Sequence, residues 1–286
     1  MILGHEAPLS MRALLAFLLS GLAICVGLPV FAVELTLELP GGTQVWQSTE
    51  LLTHPDAQTI QIPGDVAYKR DMHYRAVPLA ALLKGVAPGD HLQAVARDGF
   101  AAELAAAPLL AQQGARAWLA VEDPAQPWPP LAKGKPSAGP FYLVWENPRA
   151  AAIGPEQWPF QVVRIHRLAP LAERFPTLLP AVTAGNDIQA GFAQFQKNCL
   201  ACHRLNGAGD SQFGPDLNLP HNPTEYLAGD FLRQYIRDPQ SMRRWPQGRM
   251  PGFSPQVLSD AELQQLLAYL RHMAGRKQHG PEQNRF

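Results

Sequence analysis

Cysteine is scarce in this chain, and its placement decides more than its number. Of 286 residues three are cysteine, and the last two stand three positions apart with a histidine directly after them: Cys199-Leu200-Ala201-Cys202-His203. Two thiols on one turn of chain can each add to a vinyl group of a haem, and the histidine that follows then lies under the iron and supplies an axial nitrogen. The same spacing serves a redox disulfide or half of a zinc site. A redox pair belongs in a βαβ context, which is missing around these residues. A zinc site needs two further ligands at matching spacing, and no second Cys-x-x-Cys occurs. One covalent haem c is therefore expected, attached at Cys199 and Cys202, with His203 as a metal ligand.

The N-terminus bears on where such a chain matures. Residues 13–33 carry no charge, follow Arg12, and contain an apolar run over Leu14–Leu28 that Pro29 interrupts before Val30-Phe31-Ala32. This pattern predicts a secretory signal peptide over residues 1–32 and export to a periplasm. The alternatives are an uncleaved anchor, since about 20 apolar residues span a bilayer, and lipidation at Cys25, where bulky Ile24 stands in place of a small residue. A membrane is a partner only if the signal is retained. Nucleic acid is not an expected partner, because 24 basic residues are matched by 24 acidic ones and no excess of positive charge exists to neutralise phosphates.

At roughly 150 residues per domain the length suggests about two domains, and two patterns follow one another. Residues 33–167 read as short strands and turns. Val33–Leu39 alternates apolar and polar residues, as does Thr59–Ile62, the period of half-buried strands. Leu92–Ala96, Trp118–Val121 and Phe160–Ile165 are further candidate strands, and Phe141–Trp145 is a continuous apolar run suited to a strand buried on both faces. Pro78–Leu83 is a candidate short helix ended by Gly85. Residues 168–185, with Pro170, Pro176 and Pro180, read as a linker or a wrapping arm.

From residue 186 onward the period becomes helical. Ile188–Asn198 and Thr224–Arg237 are predicted helices, the second with Leu227, Phe231, Leu232, Tyr235 and Ile236 on one face. Ser259-Asp260-Ala261-Glu262 is a capping box ahead of Leu263, Leu266, Leu267 and Leu270 at amphipathic spacing.

Over about Asn186–Gly275 the chain resembles the class I cytochromes c. A helix with Gly191 and Phe195 precedes the attachment motif, Gly214-Pro215-Asp216-Leu217 follows it, and Asp238-Pro239 and Arg249-Met250-Pro251-Gly252-Phe253 come later in the family order. The resemblance implies an all-α haem domain in which the Pro215 carbonyl orients His203 and raises its basicity. It also implies Met250 as the second axial metal ligand, with Met242 as the competing methionine. Arg243, Arg244, Trp245 and Arg249 cluster beside Met250. They are candidate haem-propionate contacts, because arginine offers paired donors to planar carboxylates; a docking patch for an acidic partner and a solvated loop are the alternatives.

The N-terminal region resembles the molybdopterin-binding domain of the sulfite oxidase family through Tyr74-Arg75-Ala76-Val77-Pro78-Leu79, Arg97-Asp98-Gly99-Phe100, Gly139-Pro140-Phe141-Tyr142-Leu143-Val144 and Trp158-Pro159-Phe160. Enzymes of that family use a cysteine thiolate as a molybdenum ligand, and residues 33–198 contain no cysteine. A soft thiolate has no equivalent among other side chains, so a scaffold without molybdenum or molybdopterin is expected. Its tryptophans, Trp46, Trp118, Trp128, Trp145 and Trp158, are core residues or, where exposed, interface anchors.

The combined expectation is an α+β two-domain chain: a mostly-β sulfite-oxidase-like N-terminal domain joined to an all-α class I cytochrome c domain over residues 186–286. With both axial positions filled no catalytic residue is expected. The function is that of an electron carrier between redox proteins, a dehydrogenase or an oxidase. The alternatives are an oxidoreductase whose N-terminal domain binds substrate or a pterin and passes electrons to the haem, and a haem-based sensor or assembly factor.

Overall fold

A computed structural model describes residues 33–211 and 213–278; the predicted signal segment lies outside them. Among the described residues nine strands build two sheets. In sheet order the first is β2 (Gly42–Gln47), β1 (Glu34–Leu39), β9 (Val162–Arg167), β5 (His91–Ala96) and β6 (Ala101–Ala105). The second is β3 (Gln58–Ile62), β4 (Met72–Pro78), β7 (Arg116–Val121) and β8 (Phe141–Glu146). The strand β1 sends Leu35, Leu37 and Leu39 inward, as its alternation requires. It pairs in parallel with β9, so the first and last strands of the β-rich region are neighbours. Five consecutive residues of β8 are buried, and its Tyr142 also bridges to Phe160. Short helices α1 (Ser48–Leu52), α2 (Leu79–Leu82) and α3 (Ala106–Leu110) follow β2, β4 and β6, and each packs on β7.

All six predicted strands are present, as β1, β3, β5, β7, β8 and β9, and β2, β4 and β6 are additions. In β6 every residue but the last is buried, although Glu103 breaks the apolar pattern. All five tryptophans of this region pack in or against its core, so none serves as an exposed anchor. Asp65 is fully buried; it accepts the backbone N–H groups of Ala67 and Tyr68 at 2.9 and 2.8 Å and the Tyr74 hydroxyl at 2.9 Å, which ties its loop to β4.

The helical region comprises α5 (Asn186–Asn198), α6 (Pro223–Tyr226), α7 (Phe231–Arg237), α8 (Pro239–Met242) and α9 (Asp260–Ala274). Helices α5 and α9 pack closely because Gly191 lets the backbones meet: a Cβ there would collide with the Gln265 carbonyl and the Tyr269 Cβ. The single helix predicted over 224–237 is two helices. Gly229 between them has φ +59°, a left-handed conformation that cannot continue a right-handed helix. The break leaves Leu232 and Ile236 buried and turns Phe231 outward, 54% exposed.

Residues 168–185 wrap onto the helices. The short helix α4 (Leu171–Arg174) and the following 3-10 turn place Leu171 and Leu178 in the helical core. The Tyr269 hydroxyl donates to the Leu178 carbonyl at 2.7 Å, and the Ala181 N–H donates to His272 Nε2 at 3.1 Å. The β-rich and helical regions belong to one compact unit. No helix among the described residues is long and apolar enough to cross a membrane.

Candidate functional site

Helix α5 ends at Asn198, and the N–H of Cys199 directly after it still donates to the Phe195 carbonyl at 2.9 Å. The N–H groups of Cys202 and His203 both donate to the Cys199 carbonyl, at 3.0 and 2.9 Å, so the motif is a tight turn continuing the helix. Both cysteines are unpaired thiols and partly buried. Burial, reinforced by the charge of Glu156, raises both; Cys202 is pushed up to about 11.

The His203 ring is aligned by a loop that runs back alongside it. The Gly214 N–H donates to the Cys202 carbonyl at 2.7 Å and the Leu217 N–H to the Arg204 carbonyl at 2.8 Å. Between these bonds the Pro215 carbonyl lies 2.8 Å from His203 Nδ1. A carbonyl can only accept, so Nδ1 carries the proton and Nε2 keeps a free lone pair. Burial lowers the ring's proton affinity, the Pro215 bond opposing it, so the neutral form that can ligate a metal is favoured. Gly214 is the space for that ring, since a Cβ there would stand 2.5 Å from Nδ1.

The loop is held in turn by residues that sequence reasoning passed over. The Asp216 carboxylate accepts from the N–H groups of Asn206, Gly207, Asn218 and Leu219 at 2.6 to 3.2 Å. Behind it Asn218 and Asn222, both fully buried, form a ladder. The Asn218 amide donates to Asn206 Oδ1 at 2.7 Å and to the Met273 carbonyl at 2.8 Å; the Asn222 amide donates to Asn218 Oδ1 at 2.9 Å and to the Leu270 carbonyl at 3.0 Å. This ladder fastens the histidine loop to α9. In the sequence these asparagines look like ordinary turn residues, and their spacing carries no signal of burial.

Residues 188–274 match the family model of cytochrome c.

No curated protein matches the chain, and the family match does not extend into the β-rich region. A cytochrome c domain implies haem c, and the donor set fits one: two free thiols, a histidine whose outer nitrogen is already bonded, and a glycine where a side chain would displace the ring. Among the described residues no group of three or more His, Cys, Asp or Glu side chains is gathered for a metal ion, so the zinc alternative finds no further ligands beside the cysteines.

Met250 lies in the loop between α8 and α9, partly buried against the same core that Cys199 packs on, with Phe195, Leu200 and Leu266 as core members. Arg237 fixes that loop: its guanidinium donates to the Phe253 carbonyl at 2.7 Å and to Asp260 at 2.8 Å, and the Phe253 N–H returns a bond to the Ile236 carbonyl at 3.0 Å. Met242, at the end of α8, is 40% exposed. Arg243, Arg244, Trp245 and Arg249 all lie on the surface, the Arg243 guanidinium 5.3 Å from the centre of the Trp245 ring.

The cytochrome c region is not free of the β-rich one. Arg174 pairs with both Glu103 of β6 and Asp210 of the loop after the motif. The Gln196 amide of α5 donates to Glu103, Gln93 of β5 donates to Asp210 at 2.6 Å, and Phe100 meets Phe213 edge to face at 5.8 Å.

Proposed function

We propose that the chain is a periplasmic single-haem cytochrome c that passes one electron at a time between redox proteins, its N-terminal domain a docking scaffold of sulfite-oxidase-like type without molybdenum. The observation that carries this reading is the His203–Pro215 bond beside two unpaired thiols. The ring is held in the tautomer that an iron ligand needs before any metal is considered. Cys199 and Cys202 would hold the haem covalently, and His203 and Met250 would ligate its iron. When bound, the haem supplies a one-electron ferric/ferrous couple. A thioether ligand raises the potential, which favours taking electrons from a dehydrogenase. With His203 and Met250 both committed to the iron, the protein would exchange electrons and would offer no open site to a substrate. The uncharged run of residues 13–33 supports export, and the absence of cysteine from residues 33–198 supports a scaffold without molybdenum. Arg243, Arg244, Trp245 and Arg249 sit where a propionate or an acidic partner could be met from solvent.

Purified full-length protein tests this. Haem is expected to stay on the polypeptide through denaturation and acid-acetone extraction, and Cys199→Ser with Cys202→Ser to give apoprotein. The ferric form is expected to show the weak sulfur-to-iron charge-transfer band, lost in Met250→Ala and kept in Met242→Ala. Extractable haem would overturn the covalent assignment, the reverse methionine pattern would move the ligand to Met242, and stoichiometric molybdenum or pterin would overturn the scaffold reading.

A further inference from the structure

Met250 lies in a stretch, residues 243–259, that contains no helix or strand to hold it. Every residue from 241 to 249 is exposed, so the chain leading up to Met250 supplies no buried anchor. The chain leading away from it does. Two residues on, Gly252 crosses the end of α7 so closely that a Cβ there would stand 2.5 Å from the Arg237 carbonyl. Phe253 and Leu258 then turn inward, 3% and 0% exposed, and the Phe253 N–H donates to the Ile236 carbonyl at 3.0 Å. One side chain gathers this return path. Arg237 is the last residue of α7, and its side chain is 18% exposed. Its Nη1 donates to the Phe253 carbonyl at 2.7 Å and to the Leu258 carbonyl, and its Nη2 donates to Asp260 Oδ1, in the first turn of α9, at 2.8 Å. The planar fork of a guanidinium serves these separate acceptors at once, which a point-like ammonium cannot do.

We propose that Arg237 is the positioning residue for Met250: it latches the methionine segment to the ends of α7 and α9, so that a small ligand from solvent displaces Met250 only in the minor population where the latch is open. The proposal rests on the function given above. Arg237 touches neither the metal site nor Met250 and acts through the backbone between residues 250 and 258. The apparent affinity of a competing ligand is its intrinsic affinity scaled by the open fraction. A charged donor that holds three acceptors keeps that fraction small, because each such bond must be given up on opening. The same two iron ligands with a weaker latch would make a haem protein that binds small molecules. Arg237 is thus the residue that keeps this one an electron carrier.

Imidazole titration of the ferric full-length holoprotein tests this, followed through loss of the sulfur-to-iron band, with hydrogen exchange at the Phe253 amide as a second readout. Arg237→Gln is expected to bind imidazole at least about tenfold more tightly than the wild type, since losing bonds from a charged donor enlarges the open population by that factor or more. Its Phe253 amide should exchange faster in the same proportion. Arg237→Lys, which can hold one carbonyl but not all the acceptors, should fall between, and Asp260→Asn should move both readouts the same way by less. Arg233→Gln is the control. One turn earlier on α7, Arg233 bonds Gln264 at 2.6 Å and lies 3.9 Å from Asp260, with no bond to residues 250–258 among the described residues; both readouts should stay at wild-type values. Wild-type imidazole affinity in Arg237→Gln, or an equal gain in Arg233→Gln, would overturn the proposal. Should Arg237→Gln fail to fold, Arg237→Lys and Asp260→Asn decide: wild-type affinity in both overturns it. A wild type without the sulfur-to-iron band overturns the Met250 assignment instead.

Discussion

Gly214 shows how a single residue sets the site, and Glu156 how a single buried residue sets the pH dependence of the fold. At Gly214 any side chain meets the His203 ring, so Gly214→Ala must displace the ring, break its bond to Pro215, or move the loop. The expected outcome is a weakened iron–histidine bond: the ferric spectrum shifts away from the low-spin form, and the reduced variant binds carbon monoxide at neutral pH. A wild-type spectrum in this variant would show that the loop yields freely. Glu156 makes a second prediction, about stability. Its folded value lies above that of an ordinary carboxylate, so between about pH 4.5 and 8 the folded state holds a proton that the unfolded chain has lost. Stability is then fully present below that window and declines through it, by about 1.4 kcal/mol per pH unit at most, before levelling off. Denaturant titrations at several pH values should show this decline in the wild type and a flatter profile in Glu156→Gln. The motif Cys199-x-x-Cys202-His203 was legible at this scale because covalent chemistry imposes its own spacing. Glu156 was not, because nothing local distinguishes it from a surface glutamate.

The elements follow their sequence signals except where the backbone must break or cross. Helix α9 begins where the capping box places it, with Ser259 Oγ accepting from the Glu262 N–H and the Glu262 carboxylate accepting from the Ser259 N–H. Ser259→Ala should cost about 1 kcal/mol by denaturant unfolding. Gly191→Ala should cost far more, about 3 kcal/mol or above, because the added methyl pushes α5 off α9 in a core packed without slack. A small loss at Gly191 would mean that the helix pair can separate without strain. The division of residues 224–237 at Gly229 was missed because apolar spacing alone allows one helix, while one left-handed residue forbids it. The strands β2, β4 and β6 were missed for a related reason: polar residues inside them, Glu103 above all, are satisfied by partners from elsewhere in the chain.

Across the whole molecule Arg174 joins three parts of the chain. It leaves the wrapping segment, pairs with Glu103 on the edge strand β6, and reaches Asp210 after the haem motif. Glu103 is 8% exposed, so Arg174→Ala would leave a buried carboxylate at the junction with only Gln196 and His91 beside it. A loss of about 3 kcal/mol is expected, with faster proteolysis between the β-rich and helical regions; unchanged protease resistance would show that the junction holds without it. Net charge suggests only a weak attraction between residues 33–185, with 12 basic and 14 acidic side chains, and residues 186–286, with 11 and 9. The structure replaces that attraction with specific pairs. What the sequence determined by itself was whatever depends on neighbours along the chain: the attachment motif, the capped final helix, the alternation of β1, and the change from strand to helix period. The tertiary structure alone decided what depends on neighbours in space. It made residues 171–178 part of the helical core, set Asn218 and Asn222 as a buried ladder, and joined Arg174 to Glu103 about seventy positions away. Burial and charge act through distance in space, and a linear pattern carries no record of which residues will meet.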